Sequence, residues 1–115
     1  RDKDVANAIR YAVDNGAKVI NMSFGKSYSW NKEVVEDAIK YAASKDVLLI
    51  HAAGNDGQDN DQADNFPNDE DGTSKEIVNN WIEVGASSWK ANEEGIGNFS
   101  NYGKNSVDIF APGVD

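Results

Sequence analysis

The stretch Val47-Leu48-Leu49-Ile50-His51-Ala52-Ala53-Gly54-Asn55-Asp56-Gly57 decides the fold. Val47 to Ala52 is a short apolar run of the kind a buried parallel strand needs, and the small-residue turn after it stops the strand abruptly. An earlier stretch has the same form: Lys18 to Met22 reads as a strand that runs out into Asn21-Met22-Ser23-Phe24-Gly25. Between the two, Ser29 or Asn31 can cap a helix whose buried stripe is Val34, Val35, Ala38, Ile39 and Ala42. Strand, helix and strand with short joints make a βαβ unit. Its crossover is right-handed in nearly all cases, so the strands run parallel and their carboxyl ends lie side by side. Ligands on open α/β sheets collect at such ends. Both turns therefore face one crevice, with Ser23 near Gly54.

Outward from this unit, Val5, Ile9, Ala12 and Val13 fall on one face of a helix from Asp4 to Asn15, and Asn15-Gly16 supplies its left-handed stop. Downstream, Asp56 to Ser74 is rich in Asp, Asn, Gln and Gly, and reads as a long, mobile acidic surface loop. Trp81 to Ala86 alternates like a strand, and Val107 to Phe110 makes a last strand before a turn at Ala111-Pro112-Gly113. The fold class is α/β with a mostly parallel sheet of about four strands. So few strands leave sheet edges bare, so the isolated chain is expected to be marginally stable or to self-associate through an edge.

Composition narrows the function classes. The chain has 115 residues and suits one unit, residues 1–115. Its net charge of -9 argues against a nucleic-acid partner, because binding phosphate needs a basic face. No apolar run is long enough to span a membrane. Without cysteine there are neither disulfides nor thiolate metal sites. The start, Arg1-Asp2-Lys3-Asp4-Val5, resembles the opening of a helix and the end stops in a loop, so the chain reads as a piece of a longer protein.

The motifs, in order, resemble those of the subtilisin-like serine peptidases, in the region between the catalytic histidine and the catalytic serine. Asn21-Met22-Ser23-Phe24-Gly25 is similar to the family's Asn-Met-Ser-Leu-Gly strand end, and Ala52-Ala53-Gly54-Asn55 to its Ala-Ala-Gly-Asn turn. Phe66-Pro67, Val84-Gly85-Ala86, Phe99-Ser100-Asn101-Tyr102-Gly103 and Ala111-Pro112-Gly113-Val114 follow in the family's sequence. The departures are the acidic stretch from Asp56 to Ser74, and Phe24 and Lys26 where Leu and Gly are frequent. The resemblance implies a fragment of a three-layer subtilisin-like domain and a parent that hydrolyses peptide bonds through an acyl-enzyme. It implies that Ser23, Phe24 and Gly25 form one wall of the primary substrate pocket, that Ala52, Ala53 and Gly54 form the other, and that Asn55 supplies the oxyanion hole. An extended polypeptide is the implied partner, and a secreted, periplasmic or cell-surface location is implied with it.

The chemistry fits those residue types. Attack on a carbonyl puts negative charge on its oxygen, and a neutral amide donor held on a tight glycine-flanked turn stabilises that charge. An extended substrate needs bare backbone beside it, which small residues provide. The alternative for Asn55-Asp56-Gly57 is a plain turn with a left-handed position. No triad is recognisable: His51, the sole histidine, lies inside a strand and reads as structural. Gly72-Thr73-Ser74 spells the family's nucleophile tripeptide but precedes motifs that the nucleophile should follow, which places the true nucleophile beyond Asp115 and leaves residues 1–115 inactive alone. No cofactor is expected. The family's frequent calcium directs attention to Asp56, Asp59, Asp61, Asp64, Asp69, Glu70 and Asp71, but their spacing fails the helix-loop-helix template and a solvated charge run is the simpler reading. A non-catalytic peptide-binding domain on the same fold is the competing function.

Overall fold

A computed structural model of the protein describes residues 1–70, 75–88 and 95–114. Its elements are α1 (Asp2–Asp14), β1 (Val19–Met22), α2 (Lys32–Ser44), β2 (Leu48–Ala52), β3 (Trp81–Ser88) and β4 (Ile109–Val114). The strands form one sheet in the order β1-β2-β3-β4, and every neighbouring pair is parallel. The βαβ unit therefore stands as expected, with Met22 opposite His51 and His51 opposite Glu83. The strand ends that carry the two turns lie on one edge of the sheet.

Both helices cover the same face. Ala6 and Ile9 of α1 and Val35, Ala38, Ile39 and Ala42 of α2 pack with Met22, Leu49 and Trp81 into a single core. The opposite face carries half-buried Leu48, Ile50, Ile82 and Val84. Apolar side chains on both faces are what a sheet covered on both sides requires, and the described residues provide one helical layer.

Several local expectations change. Helix α1 begins at Asp2 rather than Asp4, and Asn15 ends it with Gly16 in the left-handed region at φ 89°. Asn31 is the N-cap residue of α2 but makes no side-chain cap. Its own N–H is instead taken by Asp2 Oδ2 at 2.9 Å, so a carboxylate from the other helix satisfies the chain there. Lys26 also pairs with Asp2. That hydrogen bond, against the opposing effect of burial and with help from the Asn31 N–H, lowers the Asp2 carboxyl to about 2. The last strand runs through Ala111-Pro112-Gly113 instead of turning there, with a register shift at Ser87/Ser88. Proline lacks an N–H, and β4 is an edge of this sheet where that loss is tolerated.

The acidic loop is tied down along most of its described length. Asp61 accepts main-chain N–H bonds from Ser106 at 2.8 Å and Asn105 at 3.1 Å, and the Ser106 hydroxyl donates to it as well. Phe66 and Lys26 exchange main-chain hydrogen bonds at 2.7 and 3.0 Å. Gly72-Thr73-Ser74 and Asp71 lie outside the described residues.

Strands β1 and β4 leave their outer edges unpaired among the described residues, and Val19 and Ile109 are 54% and 55% exposed there. Residues 1–115 expressed alone should therefore sediment, in a concentration-dependent way, above the 12.5 kDa of one chain. A single monomeric boundary at all concentrations would contradict this.

Candidate functional site

The turn after β2 is fixed by asparagines. The Ala53 carbonyl accepts from three side-chain amides: Asn60 at 2.9 Å, Asn65 at 2.8 Å and Asn101 at 2.9 Å. Asn101 is fully buried and does more. Its Oδ1 accepts from the main-chain N–H groups of Asp56 (2.8 Å) and Gln58 (3.2 Å), and its own N–H donates to the Gly54 carbonyl at 2.9 Å. Gly54 sits at φ 109°, and a Cβ there would meet Asn101 Nδ2 at 2.6 Å, so glycine is required both by conformation and by the close approach of Asn101. The result is a rigid platform under Asn55. Asn55 itself is exposed, and its amide makes no hydrogen bond to another described residue.

The other wall is joined to this platform. Asn65 Nδ2 also reaches the Ala52 carbonyl at 3.2 Å, while a Cβ on Gly25 would meet Asn65 Oδ1 at 2.5 Å. Asn65 thus fills the space between Gly25 and the Ala52-Ala53 segment. Ser23 is exposed and its Oγ accepts from Asn21 Nδ2 at 2.8 Å. Phe24 is 48% exposed and packs edge-on to His51 with ring centroids 6.5 Å apart. A cavity of about 140 Å³ opens beside Phe24 and Gly25, lined also by Asp2, Val5, Lys26 and Phe66. All seven residues singled out from the sequence are therefore gathered at one edge of the sheet.

Sequence reading missed Asn60, Asn65, Asn101 and Glu83. Asn101 stood within the Phe99-Ser100-Asn101-Tyr102-Gly103 motif, which was a usable signal. The others fall in stretches whose polarity fits a solvated loop or an alternating strand. His51 has the structural surroundings expected of it: it is fully buried, with Nδ1 at 2.8 and 2.9 Å from the two Glu83 carboxylate oxygens and Nε2 donating to the Phe24 carbonyl at 2.7 Å. Trp81 Nε1 donates to Glu83 Oε2 at 2.8 Å. Burial pushes the Glu83 carboxyl up, against the opposing hydrogen bonds from His51 and Trp81.

The described acidic side chains are occupied within the fold rather than gathered round one point. Among the described residues no group of three or more His, Asp or Glu could hold a metal. Burial pushes Asp61 up, but the Ser106 hydroxyl and the main-chain N–H groups of Ser106, Asn105 and Lys104 outweigh it, so the carboxyl stays below its usual range as a loop anchor. Its oxygens are already used.

Comparison with known proteins decides the family. The model of the Subtilase family matches residues 1–115. The chain belongs to the subtilase family. It is 38% identical over 114 residues to the thermophilic serine proteinase of Bacillus sp. (strain AK1), covering 97% of this chain and 24% of that one. It is 36% identical over 109 residues to thermitase of Thermoactinomyces vulgaris, covering 95% and 33%. Among solved structures, the epidermin leader peptide processing serine protease from Staphylococcus aureus matches with a TM-score of 0.77 at 29% identity, covering 98% of this chain and 31% of that one. The chain thus spans a third or less of these relatives, and the subtilase α/β fold expected from its motifs is confirmed.

Two predictions concern this part of the subtilase. Replacing Asn101 by Ala leaves the Asp56 and Gln58 amides without their acceptor, so N101A should lose about 1–3 kcal/mol of stability and speed hydrogen exchange at those two amides. Replacing exposed Asn7 by Ala should do neither. The second concerns pH. Burial, then the charges of Glu76, Asp108 and Glu83, push the Asp69 carboxyl from 3.8 to about 7. The folded chain then binds more protons than the unfolded chain between those values, so stability is highest below about pH 4 for this group and falls as pH rises to 7. The slope is at most about 1.4 kcal/mol per pH unit, and denaturant titrations of D69N should show it flattened.

Proposed function

We propose that this chain is the oxyanion-bearing and substrate-binding part of a subtilisin-like serine endopeptidase, and that the nucleophile, base and orienting carboxylate lie in other segments of the parent. The observation that carries the reading is the exposed Asn55 amide, without a protein partner among the described residues, on a turn immobilised by Asn101, Asn60 and Asn65. A donor that is fixed before the reaction stabilises the charge on the tetrahedral intermediate without reorganising. The serine adds to the substrate carbonyl, the oxygen takes the negative charge against Asn55, and collapse of the intermediate expels the amine and leaves the acyl-enzyme. Water then releases the acid.

Substrate recognition follows from the strand ends. The Lys18 carbonyl accepts from the Leu48 N–H, so by alternation Ile20 and Met22 turn their main-chain groups toward β2, and the Phe24 carbonyl points the same way, toward His51. Lys26 likewise bonds Phe66 on its inner side. In extended backbone successive residues alternate, so Ser23 and Gly25 turn their main-chain groups outward, where an extended peptide can pair with them. Ala52, Ala53 and Gly54 bound the pocket opposite, and Asn65 closes its floor with a polar group. The substrate is therefore polypeptide, and the secreted or surface setting is consistent with relatives such as the cell wall-associated protease of Bacillus subtilis, 43% identical over 113 residues and covering 98% of this chain and 11% of that one.

The test is substitution of Asn55 in the intact natural protein. N55A should lower kcat by about 100-fold to 1000-fold, a magnitude that comes from this family's own oxyanion donor, with KM for a peptide substrate little changed. A kcat within about 3-fold of wild type would remove Asn55 from the reaction, since even one ordinary hydrogen bond to a developing charge is worth more.

A further inference from the structure

We propose that His51 and Glu83 are a positioning pair that orients the Phe24 peptide, and through it the substrate-pairing main chain of Ser23 and Gly25. The inference rests on the peptide-groove reading above. The register of the sheet sets His51 between Met22 and Glu83, so the imidazole bridges from β3 to the chain leaving β1. A carbonyl can only accept, so the 2.7 Å contact places a proton on Nε2 toward Phe24. Both Glu83 oxygens face Nδ1, and one of them also accepts from Trp81. A second proton therefore lies between Nδ1 and the Glu83 carboxylate. The pair as a whole is neutral, which suits a histidine that is fully buried and a glutamate that is 4% exposed.

The cost of this arrangement indicates its use. A buried acid–base pair is weak evidence for stability, since an apolar pair of equal volume often serves as well. What apolar residues cannot do is hold a carbonyl from inside the sheet. With no partner there, the Phe24 peptide is free to rotate, and the outward alternation of Ser23 and Gly25 is lost with it. Asp108 Oδ2 accepts the Glu83 main-chain N–H at 2.7 Å, and the Trp81 ring packs against the imidazole at a tilt of 41° with centroids 5.4 Å apart, so Glu83 and the ring are both held in place. The polar contacts of His51 are with Glu83 and the Phe24 carbonyl, not with Asn55.

The experiment uses the intact natural protein and three readouts: fluorescence-polarisation Kd for a labelled tetra-alanine peptide, hydrolysis of a tetra-alanyl p-nitroanilide, and hydrolysis of p-nitrophenyl acetate, which is too short to pair with the groove. H51F keeps a ring but cannot donate. It should weaken the peptide Kd and lower kcat/KM for the anilide by about 10-fold or more, while acetate hydrolysis stays within about 2-fold. E83Q should resemble wild type, because its amide can donate to Nδ1 and leave the Nε2 proton on Phe24, whereas E83L should resemble H51F. The Glu83 pair decides the matter if H51F fails to fold. Unchanged peptide affinity in the folded variants, equal losses on anilide and acetate, or E83Q as impaired as E83L would overturn the proposal. A wild-type protein that binds the peptide but cleaves neither substrate would overturn the peptidase reading alone, and the Kd series would still decide for or against His51.

Discussion

Ala53 carries the constraint on which the rest depends. Its carbonyl collects amides from Asn60, Asn65 and Asn101, which stand 7, 12 and 48 residues along the chain from it. One peptide group thereby ties the end of β2 to the acidic loop and to the segment after β3. Each of those amides is consumed by structure, and Asn55, on the same turn, is left with an amide directed at none of the described residues. The contrast between three asparagines bonded to the fold and an exposed one on the same turn underlies the proposed site. Buried polar groups are nearly always paired, and an exposed donor held on such a platform is available for a ligand.

The groove is built by the same economy of main-chain groups. β1 spends alternate peptides on β2, then Phe24 on His51 and Lys26 on Phe66. In the proposed groove the intervening residues, Ser23 and Gly25, offer their main chain to the peptide. Side-chain identity matters here mainly by permitting close approach, as the 2.5 Å separation between a hypothetical Gly25 Cβ and Asn65 Oδ1 shows. A small side chain at position 25 would displace Asn65.

Much of this was legible in the sequence, for reasons that differ by element. The βαβ unit was readable because two short apolar runs and one helical stripe determine hand and direction together. The placement of Ser23 to Gly25 against Ala52 to Gly54 followed from that. The motif around Asn101 marked that residue, but neither its partners nor those of Asn65 were readable, because a polar residue in a loop carries no sign of which carbonyl it will meet. Glu83 was hidden in an alternating strand pattern, and only the register of β2 against β3 shows that it faces His51. The run through Ala111-Pro112-Gly113 was misread as a turn because Pro-Gly normally punctuates a chain, and an edge strand is where that rule yields.

The most direct measurement is fluorophosphonate labelling of the intact natural protein, followed by peptide mapping of the adduct, since the reagent reports an activated serine. The account predicts one adduct, on a serine outside residues 1–115. An adduct on Ser74, or none at all in a well-folded protein, would contradict it.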